Sequence, residues 1–275
     1  ALPGVLGIPY YWFFLDNGGP DADPQPVTIG QLRGLADAAG EAGPERIFYE
    51  RVATDYLMGN RIAAGTGLRS ERLDTLSYKL AYADGDAILI GSGITQADSA
   101  RHEQEGYDAR AQARVTEALA RARMLVPLAR SDDQLGGLKM LAGSAQGKQL
   151  EADLAEQARA DASGAPYRAA PGVVVIPTPR LRSGSRLVFV RLADGREYLF
   201  AGSLSPISQR WRQMRLPSRF VTDLGVREDR AAIRSWLLTL RALNQQPPRL
   251  IIVSGNRIPK QSGFTHRFDR PGRLQ

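Results

Sequence analysis

The chain has 275 residues, with 36 Lys+Arg against 29 Asp+Glu, a formal charge of +7, two His and no Cys. Zero Cys excludes disulfides, Cys-ligated zinc, iron–sulfur clusters and Cys nucleophiles, and two His leave little imidazole for metal or acid–base work. A hydrophobic share of 43% excludes a disordered chain, and the length suits one large domain or two small ones.

The sequence opens on Ala1 rather than Met, and 1–15 is strongly apolar. This stretch reads as the stub left by a signal peptide or the outer end of a membrane anchor. Tyr10, Tyr11 and Trp12 suit a headgroup-level aromatic belt. The alternative is a terminal segment packed on the protein's own core. No apolar run reaches the roughly 18 residues that a bilayer span needs. Residues 16–27 have linker composition.

Thr28 reads as the N-cap of a helix to about Ala42. A strand is expected over Arg46–Val52, and the Gly-rich stretch Asn60–Arg69 reads as mobile. Ser77–Tyr82, the Asp84-Gly85 turn and Ala87–Ile90 spell a hairpin. Ile94–Ala100 reads as a surface loop, and Asp108–Arg123 has helical periodicity. Met124–Leu128 is a short buried strand, followed by helices over Gly136–Ala142 and Lys148–Ala162. Strands are expected at Val173–Ile176, Arg186–Leu192 and Glu197–Ala201, the last two joined at Asp194-Gly195. An amphipathic helix covers Val226–Gln245, and Leu250–Val253 closes the series. The order is mixed α/β (α+β) in two similar halves, which fits two sheets between helix layers.

Four landmarks carry a resemblance: Asp84–Gly93, Leu125–Gly137, Pro179–Val188 with Asp194–Ser203, and Leu250–Asn256. They are similar, in order, to the hairpin ending L-I-D-T-G, the strand leading into H-x-H-x-D-H-x-G-G, the G-H-T-P-G-S and L-F-x-G-D segments, and the final strand ending A-H of the metallo-β-lactamase-fold hydrolases. The resemblance spans Leu76–Arg257. It implies a four-layer αββα sandwich over 28–257, with an N-terminal extension over 1–27 and a basic C-terminal tail over 258–275.

The scaffold is kept and the chemistry is lost. Ala129, Ser131 and Gln134 stand where the family places His ligands, and only Asp133 matches. Leu181 falls at the next His position, Ser203 replaces the bridging Asp, Asn256 the last His, and Gly91 a supporting Asp. A dinuclear zinc site needs several imidazoles and carboxylates, so no metal and no cofactor are expected.

Asp133 reads as a residual carboxylate or as a charge favouring a helix N-terminus capped by Ser131 or Asp132. Gly136-Gly137 reads as a tight strand-to-helix connection, with phosphate binding there unspecific. Ser203 and Ser205 lack a nearby base for nucleophilic work. His102 and His266 lie outside all four landmarks.

Arg210, Trp211, Arg212, Arg215, Arg219 and Phe220 form a basic aromatic segment suited to phosphates, lipid headgroups or an acidic protein face. The tail, with Arg257, Lys260, Arg267, Arg270 and Arg273, reads as an arm that wraps a partner. The leading expectation is a non-catalytic binding or assembly subunit. It would meet protein partners, in a membrane complex or at an anionic membrane surface, on the periplasmic or extracytoplasmic side; a cytoplasmic location stays open. The alternatives are an ester, lactone or phosphodiester hydrolase with a rebuilt site, and a nucleic-acid binder. The last is disfavoured because charge is spread along the chain and RNA-type aromatic motifs are missing.

Overall fold

Both Asp-Gly turns close hairpins. Gly85 and Gly195 take positive φ values of 89° and 86°, a region in which a Cβ is disfavoured. The computed structural model describes residues 7–182, 184–225, 228–246 and 250–268.

The first half runs α1 (Ile29–Asp37), β1 (Arg46–Met58), α2 (Gly59–Ile62), β2 (Ser70–Ala81), β3 (Ala87–Ile90), α3 (Gln96–Arg101), α4 (Ala109–Leu119) and β4 (Met124–Val126). Next come α5 (Asp132–Met140), α6 (Ala145–Asp161), β5 (Tyr167–Ala170), β6 (Val173–Pro177), β7 (Arg186–Arg191), β8 (Glu197–Phe200) and α7 (Ser208–Arg212). A helical turn at Phe220–Gly225 precedes α8 (Arg230–Asn244), β9 (Ile251–Val253) and β10 (Thr265–His266). One sheet has the order β10-β1-β2-β3-β4 and the other β5-β6-β7-β8-β9. In each, antiparallel hairpins lead to a strand that receives a parallel partner across a helical crossover, β3 with β4 and β8 with β9. The expected likeness of the two halves is present.

Side-chain alternation sorts the core into three layers. Between the sheets, Tyr78, Leu80, Ile88 and Ile90 meet Val173, Val175, Val188 and Phe200. The opposite faces of β6 and β7 send Val174, Ile176, Leu187 and Phe189 to Leu32, Ile233, Trp236 and Leu240 of α1 and α8. On the far side, Phe48, Leu89 and Leu125 pack with Val115, Leu119, Leu138 and Leu150 of α4, α5 and α6. The result is an αββα sandwich. It explains why the inner strands are apolar without interruption, since both faces of each are covered.

Several boundaries differ from the sequence reading. β1 and β2 extend well beyond the expected hairpin, pairing down to Met58↔Ser70. Ile94–Ala100 is not simply a loop: Thr95 accepts a hydrogen bond from Asp98 N and caps α3. The stretch Asn60–Arg69 is ordered by Asn60 Oδ1, which accepts from Gly67 N at 2.7 Å. Residues 16–27 run along α8, where Gln25 N donates to Thr239 Oγ1 and Gln25 Nε2 to Ser235 Oγ.

The tail is corrected most. Its first half does not project toward a partner. β10 pairs in parallel with β1, through Phe48↔Thr265 and Tyr49↔His266. Phe268 is buried; its N–H donates to Glu50 Oε1 and its carbonyl accepts from Lys79 Nζ. Burying Phe264 and Phe268 and closing the β1 edge supplies the driving force. Arg267, at φ +74°, is exposed beside this strand. Arg270 and Arg273 lie outside the described residues.

Candidate functional site

The C-terminal ends of β3, β4, β8 and β9 meet at one edge of the sandwich, where open α/β sheets place their ligand sites. A cleft of about 380 Å³ lies there. Its floor is Leu128–Ser131, Asp133 and Gln134 after β4, Gly202 and Ser203 after β8, and Gly255 and Asn256 after β9. Leu57, Arg61, Ile62 and Leu73 form one wall. Pro206, Arg210, Pro217, Val221 and Glu228 cover it from the insertion between β8 and α8.

Six of the seven expected positions line this cleft: Ala129, Ser131, Asp133, Gln134, Ser203 and Asn256. Leu181 does not, because its side chain packs against the core beneath α8 and its neighbour Arg182 faces the cleft instead. Ser205 is buried and turned away, its hydroxyl donating to Ile207 O.

The residues at the ligand positions serve as struts. Gln134 Oε1 accepts from Leu128 N at 3.1 Å. Asn256 Nδ2 donates to Asp74 O at 3.0 Å. Ser203 Oγ hydrogen-bonds Ser185 Oγ at 3.2 Å. Ser131 is the N-cap of α5 without a side-chain bond. Gly136-Gly137 form the tight connection expected, and their N–H groups are committed to the scaffold, Gly136 N donating to Gly93 O and Gly137 N to Ser92 O. A Cβ at Gly136 would meet Ile94 Cα at 2.4 Å, so these glycines let helix and loop approach closely.

The donor set does not fit the zinc pair that the fold implies. Ala129 has no ligating atom, Gln134 Oε1 is taken by Leu128 N, and Asn256 and Ser203 offer only neutral oxygens in place of imidazole and carboxylate. Among the described residues there is no group of three or more His, Asp and Glu able to hold a metal ion. His102 Nε2 lies 3.0 Å from Asp132 Oδ2 on the outer surface, and His266 stacks on Tyr49. Lys139 and His102 hold Asp132 down at about 2 by hydrogen bonding.

The cleft instead carries guanidinium groups: Arg61, Arg130, Arg182 and Arg210, against the carboxylates of Asp133 and Glu228. Arg182 is paired with Glu228. Arg210 is 5% exposed, and burial draws its pKa down from 12.5 to about 10, with Glu228 opposing the shift and Arg182 and Arg230 adding to it.

The rest of the basic aromatic segment is more buried than its composition suggests. Trp211 belongs to the core and Arg212 lies over its ring. Arg215 Nη1 donates to Ala64 O. Arg219 pairs with Asp16 at 2.6 Å and stacks over Trp12 at 4.1 Å. The N-terminal segment therefore rests on the cleft cover: Phe14 stacks on Phe220, and Asn60 Nδ2 donates to Tyr10 Oη. Ile8, Tyr11, Trp12 and Leu224 stay exposed. No helix among the described residues is long and apolar enough to cross a membrane.

Solved structures share this architecture. A quorum-quenching N-acyl homoserine lactone lactonase superposes with a TM-score of 0.59 at 12% identity, over 78% of this chain and 92% of that one. The chain has the metallo-β-lactamase fold. An N-acyl homoserine lactone hydrolase with N-hexanoyl-L-homoserine at its catalytic metal centre gives 0.59 at 12% identity, over 78% and 94% of the two chains. A probable metal-dependent hydrolase from Staphylococcus aureus gives 0.51 at 11% identity, over 74% and 86%. No protein-family model and no curated protein matches the chain. At such identities the metallo-β-lactamase fold is shared, and activity must be argued from the site.

Proposed function

We propose that this chain is a non-catalytic binding or assembly subunit of metallo-β-lactamase fold, held at the outer face of a membrane by its N-terminal segment. The observation that carries the non-catalytic reading is the use of Gln134 and Asn256. Each spends its side chain on a backbone group of the scaffold, Leu128 N and Asp74 O, where the fold's hydrolases need a metal ligand. Buried Gln134 closes the connection from β4 to α5 and half-buried Asn256 ties the end of β9 to β2, and such bonds rigidify what they join.

The membrane part rests on Ile8, Tyr11, Trp12, Phe220 and Leu224, which expose apolar surface beside Arg61 and Arg219. Aromatic and cationic groups together suit the headgroup layer of an anionic bilayer.

Two measurements test the reading. Purified chain is expected to hold substoichiometric zinc, manganese and iron and to leave acyl lactones, carboxylic esters and phosphodiesters intact. Two metal ions per chain, or turnover abolished by Asp133→Ala, would replace it with a hydrolase. Co-sedimentation with vesicles containing phosphatidylglycerol is expected to weaken in Tyr11→Ser/Trp12→Ser; unchanged sedimentation removes the membrane role.

A further inference from the structure

Arg210 is a buried cation that no described carboxylate pairs with directly. Among the described residues its Nε is buried with no hydrogen-bond partner, and no ion pair reaches its guanidinium. The nearest acid acting on it, Glu228, is engaged by Arg182. An isolated buried charge is destabilising, and native proteins keep one only where something repays the cost. The side chain sits on α7 and lines the cleft. Around it the cleft has four arginines for two carboxylates, so the cavity as a whole carries positive charge. A guanidinium offers a planar fork of donors that matches a two-oxygen anion. The remaining wall is apolar, with Leu57, Ile62, Leu73 and Val221.

We propose that the cleft binds a small amphiphile whose oxyanion head, a carboxylate or a phosphate, is received by Arg210 while its apolar body lies against the Leu57–Leu73 wall. This deepens the non-catalytic reading and rests on it. The ligand is captured rather than transformed. Asp133, on the floor without an ion pair among the described residues, disfavours a second negative charge and so selects a compact head on an uncharged body.

The test uses the full chain with sodium octanoate, octyl phosphate and octanol as probes, read by calorimetry and thermal shift. At least one of the two anions is expected to bind about tenfold or more tightly than octanol, as a desolvated charge-assisted pair should. The arms distinguish carboxylate from phosphate preference. Arg210→Met is expected to lose that discrimination and to melt no lower than the parent, because it removes an unpaired buried charge. Arg210→Lys keeps the charge without the fork and falls between. Should Arg210→Met not fold, the Nε–H resonance of Arg210 in the parent chain serves instead, and it must shift on saturation with the anion. Equal binding of octanol and both anions, undiminished binding by Arg210→Met, or an unmoved resonance overturns the proposal. Cleavage of p-nitrophenyl octanoate would overturn the non-catalytic reading alone and leave anion capture standing.

Discussion

Gln134 fills the space that a side chain at Gly91 would need. A Cβ at residue 91 would lie 2.8 Å from Gln134 Oε1, and Gly91 sits at φ +68°. The two positions share space, so a side chain at 91 has to displace the Gln134 amide.

Gly91→Asp is therefore expected to destabilise the chain by about 1–3 kcal/mol, through the positive φ at 91 and the displaced Gln134 amide. Gln134→Ala/Gly91→Asp should recover part of that loss, at the cost of leaving Leu128 N unpaired. Urea midpoints of the single and double variants measure the coupling. Additive effects would show that the two sites do not share space.

Arg114 holds Glu50, which is completely buried, through two hydrogen bonds of 2.7 and 2.9 Å. Glu50 Oε1 also accepts from Phe268 N. Arg114→Met leaves this carboxylate uncompensated and is expected to cost about 3–5 kcal/mol. Amide exchange at Phe268 should accelerate with it, since tail docking and the ion pair share an oxygen. Unchanged exchange there would separate the two.

Asp132 accepts from Lys139 and His102. Its folded pKa, about 2, lies below the ordinary 3.8. A depressed carboxylate contributes stability that is present above the unfolded value and lost as pH falls through the folded one. Stability should thus decline between about pH 4 and pH 2, and Asp132→Asn should flatten that part of the profile. The group is solvated, so the effect is small. Urea midpoints across this range read it out.

Trp12 lies under Arg219 while Trp211 and Trp236 are buried. Acrylamide should quench chiefly Trp12. Arg219→Ala breaks both the stacking and the pair with Asp16, and is expected to raise the quenching constant; Trp12→Phe should remove the accessible component. A quenching constant unmoved by Arg219→Ala would mean that the Phe14–Phe220 stack and the Asn60–Tyr10 hydrogen bond hold the N-terminal segment without it.

Much of the sandwich was legible because its signals are local. Asp84-Gly85 and Asp194-Gly195 mark hairpins, Thr28 caps α1 by accepting from Gln31 N, and the apolar runs of β6 and β7 can only be doubly covered strands. β5 and β10 were missed because short strands acquire their identity from distant partners, Val173–Val175 for one and Phe48–Tyr49 for the other. The extension of β2 was hidden by Ser70, Glu71, Arg72 and Asp74, whose polar side chains break the apolar alternation although Asp74 is buried. In the cleft, the floor residues were legible from the landmarks, but the cationic cover was not. Arg210 reads as one more basic residue in a surface segment. Arg61 and Glu228 sit outside the landmarks, and only the fold brings them to Arg130 on the floor. The slip from Leu181 to Arg182 is one residue in a turn, which reverses core and cleft.

β10 places the far end of the described chain on the strand that begins the first sheet. That sheet joins the first four strands in chain order to the tenth, whereas β5–β9 follow one another in sequence. During synthesis the second sheet can pair as soon as β9 emerges. The first must wait for Phe264–Phe268, with the β1 edge open until then. The stretch that closes the edge follows every other strand in the chain, so elongation stalled before Gly263 would leave a nearly complete sandwich with a template for aggregation along β1.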